Sequence, residues 1–350
     1  MGLIFDAGSD PQRRAFAERA VLRYWLRHPE MAQRYGTEGR RRCVEDLQYT
    51  LLYLEAATAT GSLELFRSYT EWLRSIFICH HLDVADLAGT LETLLEIFTE
   101  RGDALPAEYL ADSLRLMDSM EDVPPSLLAE NNPHRTLAQG YLALLLDQDR
   151  QGAADLIINA ADTGIPLTDL YLHVFQPCLH EVGRLWMTGR LTIPQEHFAT
   201  TATQSILAQL QPYAACRSGT GRRLLAVCID GELHEIGLRM VGDVFTLNGW
   251  ETTFLGASVP VAGIVGAVKA DRPELLALSV TIAPNLPKAA ALVEALRADP
   301  GCANTRIIVG GHPFNRCPDL WRRIGADAHG RDAAAAVAWA DRHFALPGPA

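Results

Sequence analysis

Three short groups in the last third of the chain have the most chemistry to offer. Glu232-Leu-His234-Glu-Ile236-Gly237 sets an imidazole two residues after a carboxylate. Ser279-Val-Thr281 follows after 41 intervening residues, and Gly310-Gly311 after a further 28. A neutral imidazole is a good nitrogen ligand for a transition metal, and a carboxylate that takes its other ring N–H raises its basicity. The hydroxyls of Ser279 and Thr281 can hydrogen-bond a ligand, and glycines at 310 and 311 let backbone approach one closely. A second set lies earlier, where Trp186 is followed ten residues later by the pair Glu196-His197. It offers an aromatic face, a carboxylate and another imidazole.

The elements that must position these groups follow from the pattern around them. Short apolar runs at Leu224–Ile229, Thr252–Leu255, Leu275–Val280 and Arg306–Val309 read as strands. Helical stretches at about 235–248, 260–270, 285–298 and 332–344 alternate with them. Alternating strand and helix predicts an open, doubly wound parallel sheet with helices on both faces, a flavodoxin-like fold. Ligands on such sheets bind beyond the carboxyl ends of the strands, which is where all three groups fall. Upstream, four candidate helices at about 134–149, 151–163, 167–187 and 194–216 make the count for a four-helix bundle. Residues 10–119 are helical too, punctuated by Gly36, Gly61 and Gly102. The run Glu121-Asp122-Val123-Pro124-Pro125 is the best boundary, because each proline disfavours helix before it. Three domains result: 1–124 all-helical, 125–219 bundle and 220–350 sheet.

The order D-x-H-x-x-G, S-x-L or S-x-T, then G-G, each after a strand, resembles the cobalamin-binding domain family. The resemblance implies that His234 is the lower axial ligand of cobalt, replacing the cofactor's own nucleotide base. Glu232 then supports the imidazole, one methylene longer than the family's usual aspartate. Ile236, Gly237, Ser279, Thr281, Gly310 and Gly311 line the slot for the displaced nucleotide tail. Asn285 stands where some members carry a serine that extends the relay. The W-x9-E-H element resembles, more narrowly, the adenosylcobalamin-dependent photoreceptors, in which the tryptophan packs on the adenosyl group and the Glu-His pair meets the upper ligand. Photoreceptors with a DNA-binding output carry a histidine directly after the tryptophan. Here Met187 excludes that histidine adduct and leaves two options open, a His197 adduct or a solvent-ligated cobalt.

The first 124 residues carry aromatics and histidines but no enzyme motif: Tyr49, Tyr53, Tyr69, Trp72, His80 and His81. Tyr49 and Tyr53 are four apart and share a helix face, whereas at most one of His80 and His81 can join the apolar face. Read from the residues alone, a core and an interaction surface stand level with a ligand site. A helical module joined to such a cobalamin unit resembles the photocobilins, which pair cobalamin with biliverdin. That implies a globin-like bundle holding the tetrapyrrole, with Tyr49, Tyr53, Trp72, His80 and His81 as candidate contacts. Arginines would pair with its propionates, and Cys43 or Cys79 could anchor it covalently.

Composition limits the function further. The chain has 350 residues, 48% hydrophobic and 21% charged, enough for two or three folded domains. Its net charge of −11 sits wholly in residues 1–220, which hold 18 basic and 29 acidic side chains. That speaks against nucleic acid as a partner, and Arg40-Arg41-Arg42 is too short to change it. No run approaches the roughly 18 apolar residues of a membrane span, and Met1 to Asp6 lack a signal-peptide pattern. Seven scattered cysteines without a C-x-x-C pair fit a reducing, cytoplasmic setting and no structural zinc. The leading expectation is a non-enzymatic light sensor that changes conformation or oligomeric state, as a homo-oligomer or with a protein partner. A corrinoid methyl carrier is the alternative. A mutase subunit would need a catalytic barrel for which no residues remain.

Overall fold

The computed structural model describes residues 10–122, 124–214 and 219–344. The leader reading at Met1 to Asp6, Val123 of the proline boundary and Cys216 fall outside the described residues. The chain divides into two compact units, Met1–Val123 and Pro124–Ala350.

The first unit consists of α1 (Pro11–Arg27), α2 (Glu30–Ala59), α3 (Leu63–Cys79), α4 (Val84–Arg101) and α5 (Ala104–Leu116). Asp10 and Asp83 start α1 and α4 by accepting backbone N–H bonds in the first turn, as N-caps do. The long α2 kinks at Gly36, where φ is 60°, a backbone state that glycine adopts without a Cβ penalty. The unit's core is apolar and close-packed around Ala17, Leu54, Phe66, Leu91, Leu94 and Leu110. Arg67 clamps α3 to α5 through a two-pronged bond to Asp112, at 2.6 and 2.9 Å.

The second unit starts with four helical rods: α6 (Arg135–Leu146), α7 (Arg150–Asp162), a third rod, and α10 (Ile193–Gln209). The third rod runs from α8 (Leu167–Leu170) through one π-helical turn, Tyr171–Phe175, into α9 (Gln176–Met187). Pro177 accounts for part of this irregularity, since it has no N–H for the carbonyl four residues earlier. That carbonyl belongs to His173, and the Asn132 amide donates to it at 2.7 Å.

The sheet follows: β1 (Arg223–Ile229), α11 (Ile236–Leu247), β2 (Glu251–Val259), α12 (Val261–Asp271), β3 (Leu275–Ser279), α13 (Leu286–Ala298) and β4 (Arg306–Gly310). It closes with α14 (His312–Arg316), α15 (Leu320–Arg323), β5 (Ala328–His329) and α16 (Ala333–His343). All pairings are parallel and the order is β2-β1-β3-β4-β5, the flavodoxin-like order. Every residue of β3 is buried, as expected for a strand covered by helices on both faces. The sequence reading lacks β5, because two residues carry no readable period.

Bundle and sheet, separated at residue 219 in the sequence reading, pack as one unit. A buried polar bridge joins them: the Tyr171 hydroxyl donates to Asp243 of α11 at 2.8 Å, and the Gln211 amide does likewise at 2.8 Å. Among the described residues no helix is long and apolar enough to cross a membrane.

Candidate functional site

The loop between β1 and α11 leaves the carboxyl edge of the sheet and carries His234. Its Nδ1 lies 2.6 Å from Glu232 Oε1, and its backbone N–H donates to the same oxygen at 3.1 Å. Oε2 of Glu232 accepts the backbone N–H groups of Thr281 at 2.7 Å and Ile282 at 3.0 Å, with the Asn285 amide at 3.4 Å. The longer glutamate therefore makes the bond to the imidazole and still reaches the loop after β3. Its side chain is fully buried, 0% exposed. Burial disfavours the charge, but the imidazole and the backbone donors outweigh it and hold the carboxyl below the usual carboxylate range. The His234 side chain stays 52% exposed. With the Nδ1 proton held by the carboxylate, Nε2 is the basic nitrogen, the arrangement an imidazole metal ligand requires.

The surrounding loops brace this pair. Ser258, at a left-handed φ of 52°, accepts the Gly231 N–H at 3.0 Å and donates its own N–H to the Glu232 carbonyl at 3.0 Å. Ser279 ends β3 beside Cys228 of β1, buried and in register with it. Burial, with Glu232 and Glu235 nearby, pushes the Cys228 thiol up to about 12, so it acts as a small apolar side chain. Ile236 is buried at the start of α11, while a Cβ on Gly237 would meet only open space. Gly310 ends β4 and Gly311 follows it. A Cβ on Gly311, at φ 112°, would lie 1.9 Å from the Val280 carbonyl oxygen. That glycine is required by the chain's own loop crossing, a different reason from the ligand approach inferred from sequence.

The bundle carries the second set of residues. Trp186, next to last in α9, is half-buried against the core, and Met187 beside it is buried. The turn at Gly189 leads into α10, where Thr192 and Gln195 form a capping box. Glu196 and His197 occupy the first turn of α10. His197 Nδ1 lies 2.5 Å from Glu196 Oε2, and the Thr200 hydroxyl donates to Oε1 at 2.9 Å. Further along α10, the Gln204 amide donates to Glu235 Oε1 at 3.2 Å, tying the bundle to the residue after His234.

Sequence reasoning passed over four residues of this unit. Leu233 is exposed beside His234, an apolar surface with no core role. Gln204 gave no signal, because glutamine on a helix has no distinctive spacing. His180 of α9 and His312 of α14 both reach solvent, yet crowding by protein pushes both imidazole pKa values down. Arg316 and His180 add repulsion at His312.

In the first unit, Tyr53 stacks on buried Tyr69 at 4.1 Å, and Trp72 lies 5.9 Å from Tyr69. Tyr49, Tyr53 and Trp72 are half-buried. His80 caps α3, and its Nε2 is buried without a hydrogen-bond partner. His81 is exposed at φ 56° and takes no part in that face. Cys43 and Cys79 are half-buried free thiols.

Known proteins resemble the chain over both the bundle and the sheet. Residues 222–338 match a family model described as the B12 binding domain, and residues 137–211 match a second B12 binding domain model. A corrinoid protein of Desulfitobacterium hafniense is 25% identical over 204 residues, covering 57% of this chain and 93% of that protein. The HTH-type transcriptional repressor CarA of Myxococcus xanthus is 36% identical over 137 residues, 39% of this chain and 44% of the repressor. The chain thus spans less than half of that repressor's length. Among solved structures, the Methanosarcina barkeri monomethylamine corrinoid protein aligns with a TM-score of 0.55 at 21% identity, over 60% of this chain and 100% of that one. The chain carries B12-binding domains, and the bundle and five-stranded parallel sheet of its second unit have the fold of a corrinoid protein.

Proposed function

We propose that the chain is a light sensor that binds adenosylcobalamin between its bundle and its sheet. The observation that carries the reading is the presence of two features in one unit, joined by the Gln204–Glu235 bond. His234 is held by a buried carboxylate on the sheet, and Trp186, Glu196 and His197 lie on the bundle. The residues fit the cofactor: Nε2 of His234 would ligate cobalt, Leu233 and Trp186 would offer apolar surface, and the open side of Gly237 would admit the nucleotide tail. When bound, the cofactor would supply a visible chromophore and a light-labile cobalt–carbon bond. The chain's residues bind and orient it, and the Gln204–Glu235 and Tyr171–Asp243 bridges couple bundle and sheet. Release of the upper group would alter the bundle's packing and, through it, assembly or a protein partner. No catalytic role is assigned to the chain.

Biliverdin is proposed as a second chromophore in the first unit. The half-buried faces of Tyr49, Tyr53 and Trp72, with the orphaned His80 Nε2, suit a flat, conjugated ligand with polar edges. Expression with biliverdin should give a copurifying red-absorbing band that His80→Ala or Tyr53→Ala weakens. The absence of any band in the parent protein would remove the bilin and leave the unit as a partner-binding module.

A corrinoid methyl carrier is the second reading, favoured by the match to nearly the full length of a corrinoid protein. Illumination separates the two. A sensor loaded with adenosylcobalamin changes spectrum and hydrodynamic size in light, whereas a carrier accepts methyl groups from a methyltransferase in the dark.

A further inference from the structure

The two edges of the sheet are finished differently. β5 closes one edge with two residues, the kind of short strand by which native sheets avoid pairing with other chains. β2 forms the other edge and is the longest of the five, nine residues against seven, five, five and two. Its outer stretch is open to solvent. Glu251, Thr253, Phe254 and Leu255 are exposed, the last two at 36% and 40%. No lysine or proline interrupts β2, and its one charge, Glu251, stands at the very start.

β2 is paired with β1 on one side, which leaves a row of backbone N–H and C=O groups on the other. Its register with β1 slips after Phe254, where Leu255 is the extra residue of a bulge, and Gly256 follows at a φ of 79°. The free edge is therefore the stretch 251–255. We propose that this edge pairs antiparallel with the same edge of a second copy of the chain, joining two five-stranded sheets into one of ten. The inference needs no cofactor, and it holds for a sensor and for a carrier alike.

Self-complementarity and charge select a second copy as the occupant. A twofold axis at Thr253 sets that residue opposite its counterpart, Thr252 opposite Phe254, and Glu251 opposite Leu255. Thr252 with Phe254 is the β-branched and aromatic combination that stabilises neighbouring strands. The two Glu251 carboxylates then stand about 14 Å apart, so no like charges meet. Arg223 of β1, in register beside Glu251, offsets each of them further. The charge balance points to the same surface. The surplus of −11 lies in residues 1–220, whereas residues 221–350 hold 13 basic and 13 acidic side chains. Two copies that meet along the sheet edge bring together the neutral part of the chain.

Cysteine crosslinking of the full chain reads both the edge and its register. Thr253→Cys sets two thiols opposite each other with Cα atoms about 4.5–5.5 Å apart, within disulfide reach. Glu251→Cys leaves them about 14 Å apart, beyond it. Under a mild oxidant, Thr253→Cys should form a covalent dimer on a non-reducing gel. Glu251→Cys should form no more than wild type with its seven native cysteines. Sedimentation adds a second readout. Wild type should associate as its concentration rises, and Thr253→Lys, which sets two ammonium groups face to face, should weaken the dimer about tenfold or more. Leu26→Lys, at a leucine of α1 that is 73% exposed, should leave it unchanged. Wild type that stays monomeric overturns the inference, as does equal crosslinking at positions 251 and 253. A dimer that folded Thr253→Lys leaves intact also overturns it, and the cysteine pair decides if that variant does not fold.

Discussion

At the scale of single residues, Glu232 organises the site. One carboxylate fixes the imidazole of His234 and pins the loop after β3 to the loop after β1. Glu232→Gln keeps the shape but puts an amide N–H against either the imidazole or two backbone N–H groups. Cobalamin affinity should fall roughly 10- to 100-fold, as when other residues supporting a metal ligand are lost, measured by equilibrium dialysis. An affinity within twofold of wild type would show that the carboxylate has no such part. The sequence pattern alone points to His234, Glu232 and the spacing of Ser279 and Gly310, because a metal ligand and its support must sit at fixed offsets on loops. It does not reveal that Thr281 and Ile282 contribute backbone N–H groups instead of side chains, nor that Gln204 grips Glu235. Neither contact leaves a mark in residue type.

At the scale of elements, two predictions follow from how the segments are held. Gly311 takes a backbone conformation that is essentially glycine-only, beside the Val280 carbonyl. Gly311→Ala should cost about 2–6 kcal/mol from strain and overpacking together, read from denaturant unfolding. An unaltered midpoint would contradict the crossing of the two loops. On α9, buried Glu181 accepts the Leu127 N–H at 2.8 Å and a two-pronged bond from Arg184, at 2.9 and 2.6 Å. This latches the segment after the first unit onto the bundle. Burial opposes the Glu181 charge, but Arg184 and the Leu127 N–H win and lower the pKa. Its stabilisation is therefore complete above the unfolded value of about 4.3 and is lost as pH falls through the lower folded value. Glu181→Gln should lower stability by about 1.5–3 kcal/mol at neutral pH and flatten the decline below about pH 4. Thermal melts across pH 3–7 check both limbs, and parallel curves for the two proteins would contradict the latch. Element types and most ends follow from period and punctuation. The π turn at Tyr171–Phe175 does not, since Asn132 repairs the carbonyl left by Pro177 from 41 residues away in sequence.

At the scale of the whole molecule, the sheet-bearing residues 221–350 are charge-neutral, and the surplus of −11 lies in the helical part. Like charge on those helices favours separation of copies, so any light-dependent assembly should strengthen as salt screens it. Sedimentation of the illuminated protein at low and high salt reads this directly, and association that weakens with salt would count against it. The alternation of strand and helix, and the loops that bear the ligand, are legible in the sequence, because parallel sheets place their sites by topology. The packing of bundle and sheet into one unit is not, because it depends on long-range bonds such as Tyr171–Asp243. The most direct measurement is the visible spectrum of the full chain loaded with adenosylcobalamin, in the dark and after illumination, beside His234→Ala. The account predicts a histidine-ligated alkylcobalamin spectrum in the dark that light converts to a non-alkyl form, with the histidine signature missing from the variant. A spectrum indifferent to light, or one that His234→Ala leaves unaltered, would contradict it.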